Sequence, residues 1–313
     1  MPTSCWSTKA TDVVALHDTL RDALFERKLL LPTAVAGIYG RSAEFEDTIE
    51  RIDRLVSVAA AVDAPEVMRF APAIDRRHVE RAGYLESFPH LAGSVHSFAG
   101  DERAHRDLVG AAREGRDWSP ALSPTGVMLT PAACYHVYPL LAGTLPPRGR
   151  LVDVMSYCFR REPSDDVSRM QMFRMHEHVC ASAPAEAVAW REDWIDRARR
   201  IVSRLAIEAR VVVAADPFFG RPGALLAASQ RDQRLKLEIV APIACADRPT
   251  AIVSLNYHQD HFGRLFDIRT ADGAIAHTAC TGFGLERIGL ALYSQHGFER
   301  SRWPAPVRET LGW

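Results

Sequence analysis

Three short segments concentrate the side chains able to do chemistry. Phe159-Arg160-Arg161-Glu162 closes an apolar run just before a turn, and Met172-Phe173-Arg174-Met175-His176-Glu177-His178 follows that turn. Thr281-Gly282-Phe283-Gly284-Leu285-Glu286-Arg287-Ile288 leads into a further apolar run. Guanidinium forks suit phosphates and carboxylates, which they can hold bidentately. Any one of these arginines alone fits a surface ion pair as well. The six cysteines (Cys5, Cys134, Cys158, Cys180, Cys245, Cys280) are scattered with no C-x-x-C pair, a usage that suits thiols buried or bound to metal in a reducing compartment. Cys158 and Cys180 read as packing residues. His258 and His261 could be metal ligands or hydrogen-bonding residues near a strand end. A thiol nucleophile would need a positioned base and an electropositive site. The Gly282-Phe283-Gly284 turn departs from dinucleotide-binding spacing, which argues against a nicotinamide site.

The elements that must carry these residues follow from periodicity. A helix is predicted from about Ser42 to Val62: Ser42 can cap it, Glu44, Glu46 and Asp47 suit its first turn, and Phe45, Ile49, Ile52, Leu55 and Val58 make one apolar stripe. A short strand at Val67–Phe70 follows. Val127–Thr130, Leu151–Phe159 and Met170–Val179 read as strands, the last two joined as an antiparallel hairpin through Pro163-Ser164-Asp165-Asp166. A second helix is predicted from Pro184 to Ile207, apolar through Trp190, Trp194, Ile201 and Leu205 and basic through Arg191, Arg197, Arg199, Arg200 and Arg204. Strands resume at Val211–Val213, Leu235–Val240 and Ala251–Asn256, and Leu285–Tyr293 reads as a buried helix. The order is that of an α+β fold with a largely antiparallel sheet.

Bulk properties exclude several classes. At 313 residues the chain can bury a sizeable core, and Lys+Arg at 38 against Asp+Glu at 39 gives a formal charge of −1. That balance lacks the basic excess of a protein that grips a long nucleic acid. No apolar run approaches a membrane span, and the N-terminal MPTSCWSTKATDVV lacks the layout of a signal peptide. A cytoplasmic protein is expected.

Taken in order, the segments resemble the class II aminoacyl-tRNA synthetases over roughly residues 42–295. Phe159–Glu162 matches their second signature motif and Gly282–Ile288 the third, while the helix from Ser42 and the strand near Pro72 look like the first, which builds that family's dimer interface. The resemblance implies an antiparallel β-sheet flanked by helices, a homodimer, and ATP-dependent formation of an aminoacyl-adenylate. Carboxylate attack on the α-phosphorus builds charge on the phosphates, so guanidinium groups should surround them. By resemblance, Arg160 holds the α-phosphate and substrate carboxylate, Glu162 reads the adenine amino group and Arg287 binds the γ-phosphate. Arg169 and Lys236 join the implied ATP-binding residues, and Phe173 or His178 supplies the ring against adenine. Magnesium should accompany ATP, but Thr250–Ser254 offers no acid where the family carries a ligand, leaving Glu238 as a candidate.

Within that group the chain is most similar to the zinc-dependent archaeal seryl-tRNA synthetases and to their truncated relatives, the amino acid:carrier-protein ligases. The resemblance implies one zinc per chain on Cys134, Glu177 and Cys280, with an open position for the substrate's amine. Asn256 joins Cys134, Arg160 and Glu177 as the implied amino-acid-binding set. Residues 1–41 show no sustained heptads for a tRNA-binding arm, and only Ile288–Trp313 follow Arg287. The expectation is therefore a single catalytic domain over 1–313, with an inserted helical segment at about 181–222 and no tRNA-binding domain. Its product would be a small amino acid, glycine favoured and alanine possible, on the phosphopantetheine thiol of a carrier protein. Arg197, Arg200 and Arg204 could contact that acidic partner. Aminoacylation of a tRNA acceptor stem and an inactive, regulatory paralogue are the competing readings.

Overall fold

The computed structural model describes residues 19–245 and 247–313. The N-terminal segment read for targeting signals, with Cys5, lies outside the described residues. Ser42 caps helix α1 (Ala43–Ala60) as its sequence predicts, its side chain accepting from the Phe45 amide at 3.2 Å. Phe45, Ile49, Ile52 and Val56 of α1 are fully buried. The helix ends at Ala60 and continues as a 3₁₀ turn, Ala61–Asp63, one residue past the expected limit.

A seven-stranded sheet holds the molecule together. Its strands are β1 (Glu66–Arg69), β2 (Arg150–Phe159), β3 (Met172–Ser182), β4 (Arg210–Val213), β5 (Lys236–Ala241), β6 (Thr250–Gln259) and β7 (His277–Gly284). They lie in the order β4-β5-β6-β7-β3-β2-β1, antiparallel throughout except for the parallel pair of β1 with β2. The expected β2–β3 hairpin forms in full register from Arg150↔Ala181 to Phe159↔Met172. Residues 122–129 are longer than expected and sit outside this sheet, at the centre of a three-stranded one between Ala73–Asp75 and Ser94–Phe98.

Side chains alternate across a strand, so each strand serves two faces. One face packs on α1, on α2 (Pro184–Arg204) and on α4 (Leu285–His296), burying Leu237, Ile239, Val253, Leu255 and Phe283 with the helices' apolar residues. The other face carries Val152, Val154, Cys158, Met175, Val179 and Cys280 against Cys134, Tyr138 and Phe262. At the helical face Arg174 is clamped between Glu286, at 2.8 Å, and both carboxylate oxygens of Glu46, at 2.6 and 3.0 Å, tying β3 to α4 and α1.

Helix α2 stops at Arg204 instead of Ile207. The basic side expected on it is also smaller. Arg191 is buried and donates to the Arg234 carbonyl at 2.7 Å, and Arg197 is held by Asp63 and Asp193. Arg199, Arg200 and Arg204 remain exposed. Helix α3 (Gly220–Asp232) and the helix Glu102–Arg113 had no counterpart in the sequence reading. Among the described residues no helix is long and apolar enough to cross a membrane.

Candidate active site

Strand alternation alone brings most of the predicted residues together. Glu177 on β3, Cys280 on β7, Asn256 and Ser254 on β6, and Lys236 and Glu238 on β5 share one face of the sheet, set by the registers Glu177↔Gly282, Asn256↔Cys280 and Glu238↔Ser254. Gly282 lies between them. A Cβ built there would stand 3.0 Å from Met175 Cε and 3.3 Å from both Glu177 Cγ and Ser254 Oγ, so a larger residue would fill the cradle.

The remaining donor arrives from outside the sheet. Residues Thr130-Pro131-Ala132-Ala133-Cys134 run from the small sheet into a 3₁₀ turn, Ala133–His136, laid over β2 and β3. Glu177 anchors this turn, accepting the Ala133 amide at 2.7 Å. Cys134, Glu177 and Cys280 thus converge, each almost fully buried, with ligand atoms within 4.8 Å of one another. Two soft thiol donors, one carboxylate oxygen and no disulfide make a donor set that fits a borderline-soft cation such as zinc.

The electrostatics agree with that use. Its hydrogen bond to Cys280 and burial hold the Cys134 thiol up, whereas the same bond lowers Cys280 well below an ordinary thiol against the opposing cost of burial. His258 and Asn256 support the Cys280 thiolate, with Asn256 Nδ2 at 3.4 Å and His258 Nε2 at 3.6 Å from Sγ. His258 also contacts Thr278 Oγ1 at 3.1 Å through Nδ1. Of the two readings for His258 and His261, His258 takes the hydrogen-bonding one, and the ligand cluster forms without either. Burial, followed by the Cys280 charge, raises Glu177 to about 7, while the bond from Cys134 and the amides of the 3₁₀ turn oppose the rise.

Beside this cluster sits a group of cations. Arg160 reaches back along the same loop, Nε donating to the Pro131 carbonyl at 3.3 Å, with its guanidinium 5.5 Å from the Phe173 ring centroid. Arg287 donates to the carbonyls of Ser168 and Ala251 at 2.8 and 3.0 Å. Among the described residues neither arginine is paired with a carboxylate. Burial, and then the charge of Arg160, lower Arg287 to about 10, the signature of a desolvated cation lacking a counter-charge. Phe173 and Arg287 line one narrow slot with Ser168, Met170 and Gly284. His178 lies on the opposite face, stacked on Trp194, so of the two rings considered only Phe173 faces this region. Glu162 and Arg169 meet at 3.2 Å.

Lys236 is bound at 2.5 Å to Asp216 and at 3.2 Å to Glu238, and so is a buried, paired lysine and not an exposed strand residue. Sequence reasoning missed Asp216, which no motif marks, and the roles of Gly282 and Ser254, which only cross-strand register reveals. A larger surface cavity, lined by Arg27, Glu44, Arg300 and Trp313, shares no residue with this site.

No protein-family model matches the chain. An amino acid–acyl-carrier-protein ligase of Bradyrhizobium diazoefficiens is 44% identical over 278 residues, 88% of this chain and 85% of the relative. A type-2 serine–tRNA ligase of Methanopyrus kandleri is 31% identical over 206 residues, 61% of this chain but 38% of that one. The M. kandleri seryl-tRNA synthetase solved in complex with A. aeolicus tRNASec superposes with a TM-score of 0.79 at 23% identity, covering 93% of this chain and 60% of that one, which shows the class II synthetase fold. With close identity running through most of both chains, the protein belongs to the amino acid–acyl-carrier-protein ligase family.

Proposed function

We propose that the protein activates a small amino acid with ATP as the aminoacyl-adenylate and passes it to the phosphopantetheine thiol of a carrier protein. The observation that carries this reading is the adjacency of two unlike subsites on one sheet face, joined by residues 131–134. Two unpaired guanidiniums stand at one end and a thiol–carboxylate–thiol cluster at the other.

In the first step an oxygen of the substrate carboxylate forms a bond to the α-phosphorus of ATP as the bond to pyrophosphate breaks. Arg160 holds that carboxylate and the α-phosphate, neutralising charge that grows as the reaction proceeds. Phe173 stacks on adenine, Glu162 accepts from its amino group, and Arg169 steadies Glu162. Arg287 takes the γ-phosphate. Lys236 lies near the ribose and phosphates, and Glu238 is the nearest acid for magnesium. At the other end Cys134, Glu177 and Cys280 would hold one zinc ion per chain. Bound there, zinc would supply a Lewis-acid position that favours the neutral amine of the substrate. Asn256, bonded to Cys280, would contact the amine. In the second step the carrier's thiol adds to the adenylate carbonyl, a thioester forms, and AMP leaves.

Glycine is the favoured substrate and alanine the next. The protein acts as a single catalytic domain paired with a second copy, with a carrier and not tRNA as acceptor. ATP–pyrophosphate exchange with glycine, alanine and serine tests the first step. Exchange is expected with glycine or alanine, falling roughly 100-fold or more in Arg160→Ala. Label should then pass to a phosphopantetheinylated carrier and not to tRNA. Exchange independent of any amino acid, or label on tRNA alone, would overturn the proposal.

A further inference from the structure

The helical face of the same hairpin carries a second set of potential ligands. His176 and His178 flank Glu177 on β3 and therefore project to the side opposite it. Asp153 on β2 lies directly across from His178 in register. All three are at most 2% exposed. His176 Nε2 stands 3.1 Å from Asp153 Oδ1, His178 Nδ1 stands 4.0 Å from Asp153 Oδ2, and one ligand atom from each lies within 4.8 Å of the others. Donors around a tetrahedral zinc are separated by roughly 3.4 Å, so the cluster needs only a small contraction.

Its histidine nitrogens are only partly satisfied. His176 Nε2 meets only the Asp153 carboxylate, and the buried ring nitrogens of His178 have no partner of good hydrogen-bond geometry beyond the approach of the Val56 carbonyl. Buried imidazole nitrogens left unpaired are costly, and each such group calls for a partner. The supports behind them are already in place. Asp53 on α1 holds His176 Nδ1 at 2.6 Å, which turns Nε2 inward, the usual arrangement behind a metal-binding histidine. The His178 ring is fixed against Trp194, centroids 4.3 Å apart and 19° from parallel, and the Val56 carbonyl of α1 faces it. Arg69 bonds Asp153 Oδ1 at 2.7 Å, leaving Oδ2 toward His178.

We propose that Asp153, His176 and His178 form a second metal site, of nitrogen and oxygen donors, that takes zinc or a similar borderline divalent ion. Its role is structural: it ties β2 to β3 and, through Asp53, to α1 directly behind Glu177. The site is independent of the Cys134–Glu177–Cys280 cluster in donor chemistry, so the two can be counted separately.

Cobalt(II) titration of the metal-stripped full-length protein is the test, because thiolate-bound cobalt shows a sulfur charge-transfer band that nitrogen and oxygen donors lack. Two equivalents should bind, only one of them building that band. Asp153→Asn should remove the silent equivalent and keep the thiolate band, whereas Cys134→Ala should do the reverse. Binding of one equivalent by the wild-type protein would overturn the proposal, whether or not the variants fold. So would a second equivalent that survives in both Asp153→Asn and His178→Gln, since this would place it elsewhere. A buried ion-pair cluster of Arg69, Asp153, His176 and Asp53 with no metal is the reading that remains in those cases.

Discussion

Glu177 carries the sharpest consequence at the scale of single residues. Its carboxyl, raised to about 7 by burial and by Cys280, holds a proton in the metal-free fold at mildly acid pH. Zinc must displace that proton below about pH 7 but not above it, so affinity should rise with pH and the slope should lose one proton on crossing that value. Zinc competition against a chromogenic chelator, from about pH 6 to about pH 8, would show the break, and Glu177→Gln should erase it. An unbroken slope in the wild type would remove Glu177 from the ligand set. The candidates were legible here because Arg160 and Arg287 stand in signature-like segments and the family resemblance pointed to Cys134, Glu177 and Cys280, which the fold brings together. What stayed hidden was dependence on neighbours: whether Lys236 was free or paired was decided by Asp216, twenty positions away on a loop.

The strands and α1 were readable from apolar periodicity and capping chemistry, and the hairpin from its turn. The unread elements have local reasons. Helix α3 begins Gly220-Arg221-Pro222-Gly223, whose glycines and proline signal a loop, yet proline is tolerated in a first turn, where its missing amide has no helical partner anyway. Arg191 and Arg197 count as part of one basic side in the sequence, Arg197 as a possible carrier contact, because helical spacing cannot show that Asp63 and the Arg234 carbonyl reach them from elsewhere. One element-level expectation can be checked directly. Ser42→Ala removes the only side-chain cap of α1, whose buried face supports Glu46 and Asp53, and should cost about 1 kcal/mol in chemical denaturation. An unchanged midpoint would mean that tertiary packing alone sets the start of α1.

At the scale of the whole molecule, the near-neutral charge conceals a division between paired and unpaired surface cations. Arg200 and Arg204 are exposed on α2, while Arg197 is spent on internal ion pairs. We expect Arg200→Glu with Arg204→Glu to slow carrier loading, and to weaken its salt dependence, while leaving pyrophosphate exchange unchanged, since exchange involves no carrier. Arg197→Glu should instead lower thermal stability, because it breaks the link to Asp63. Loading at the wild-type rate in the double variant would move the docking surface elsewhere.

The loop from Pro131 to Cys134 touches Arg160 through one carbonyl, Glu177 through one amide, and carries the Cys134 thiol itself. Successive Cα atoms are fixed about 3.8 Å apart, so on the proposed function this short stretch would act as a gauge between the two ends of the substrate. On the proposed function we expect it to favour molecules whose amine and carboxylate are one carbon apart. β-Alanine, with the same end groups and one more methylene, overruns the gauge and should support no pyrophosphate exchange even where glycine saturates. Exchange with β-alanine equal to that with glycine would mean that the loop sets no length at all.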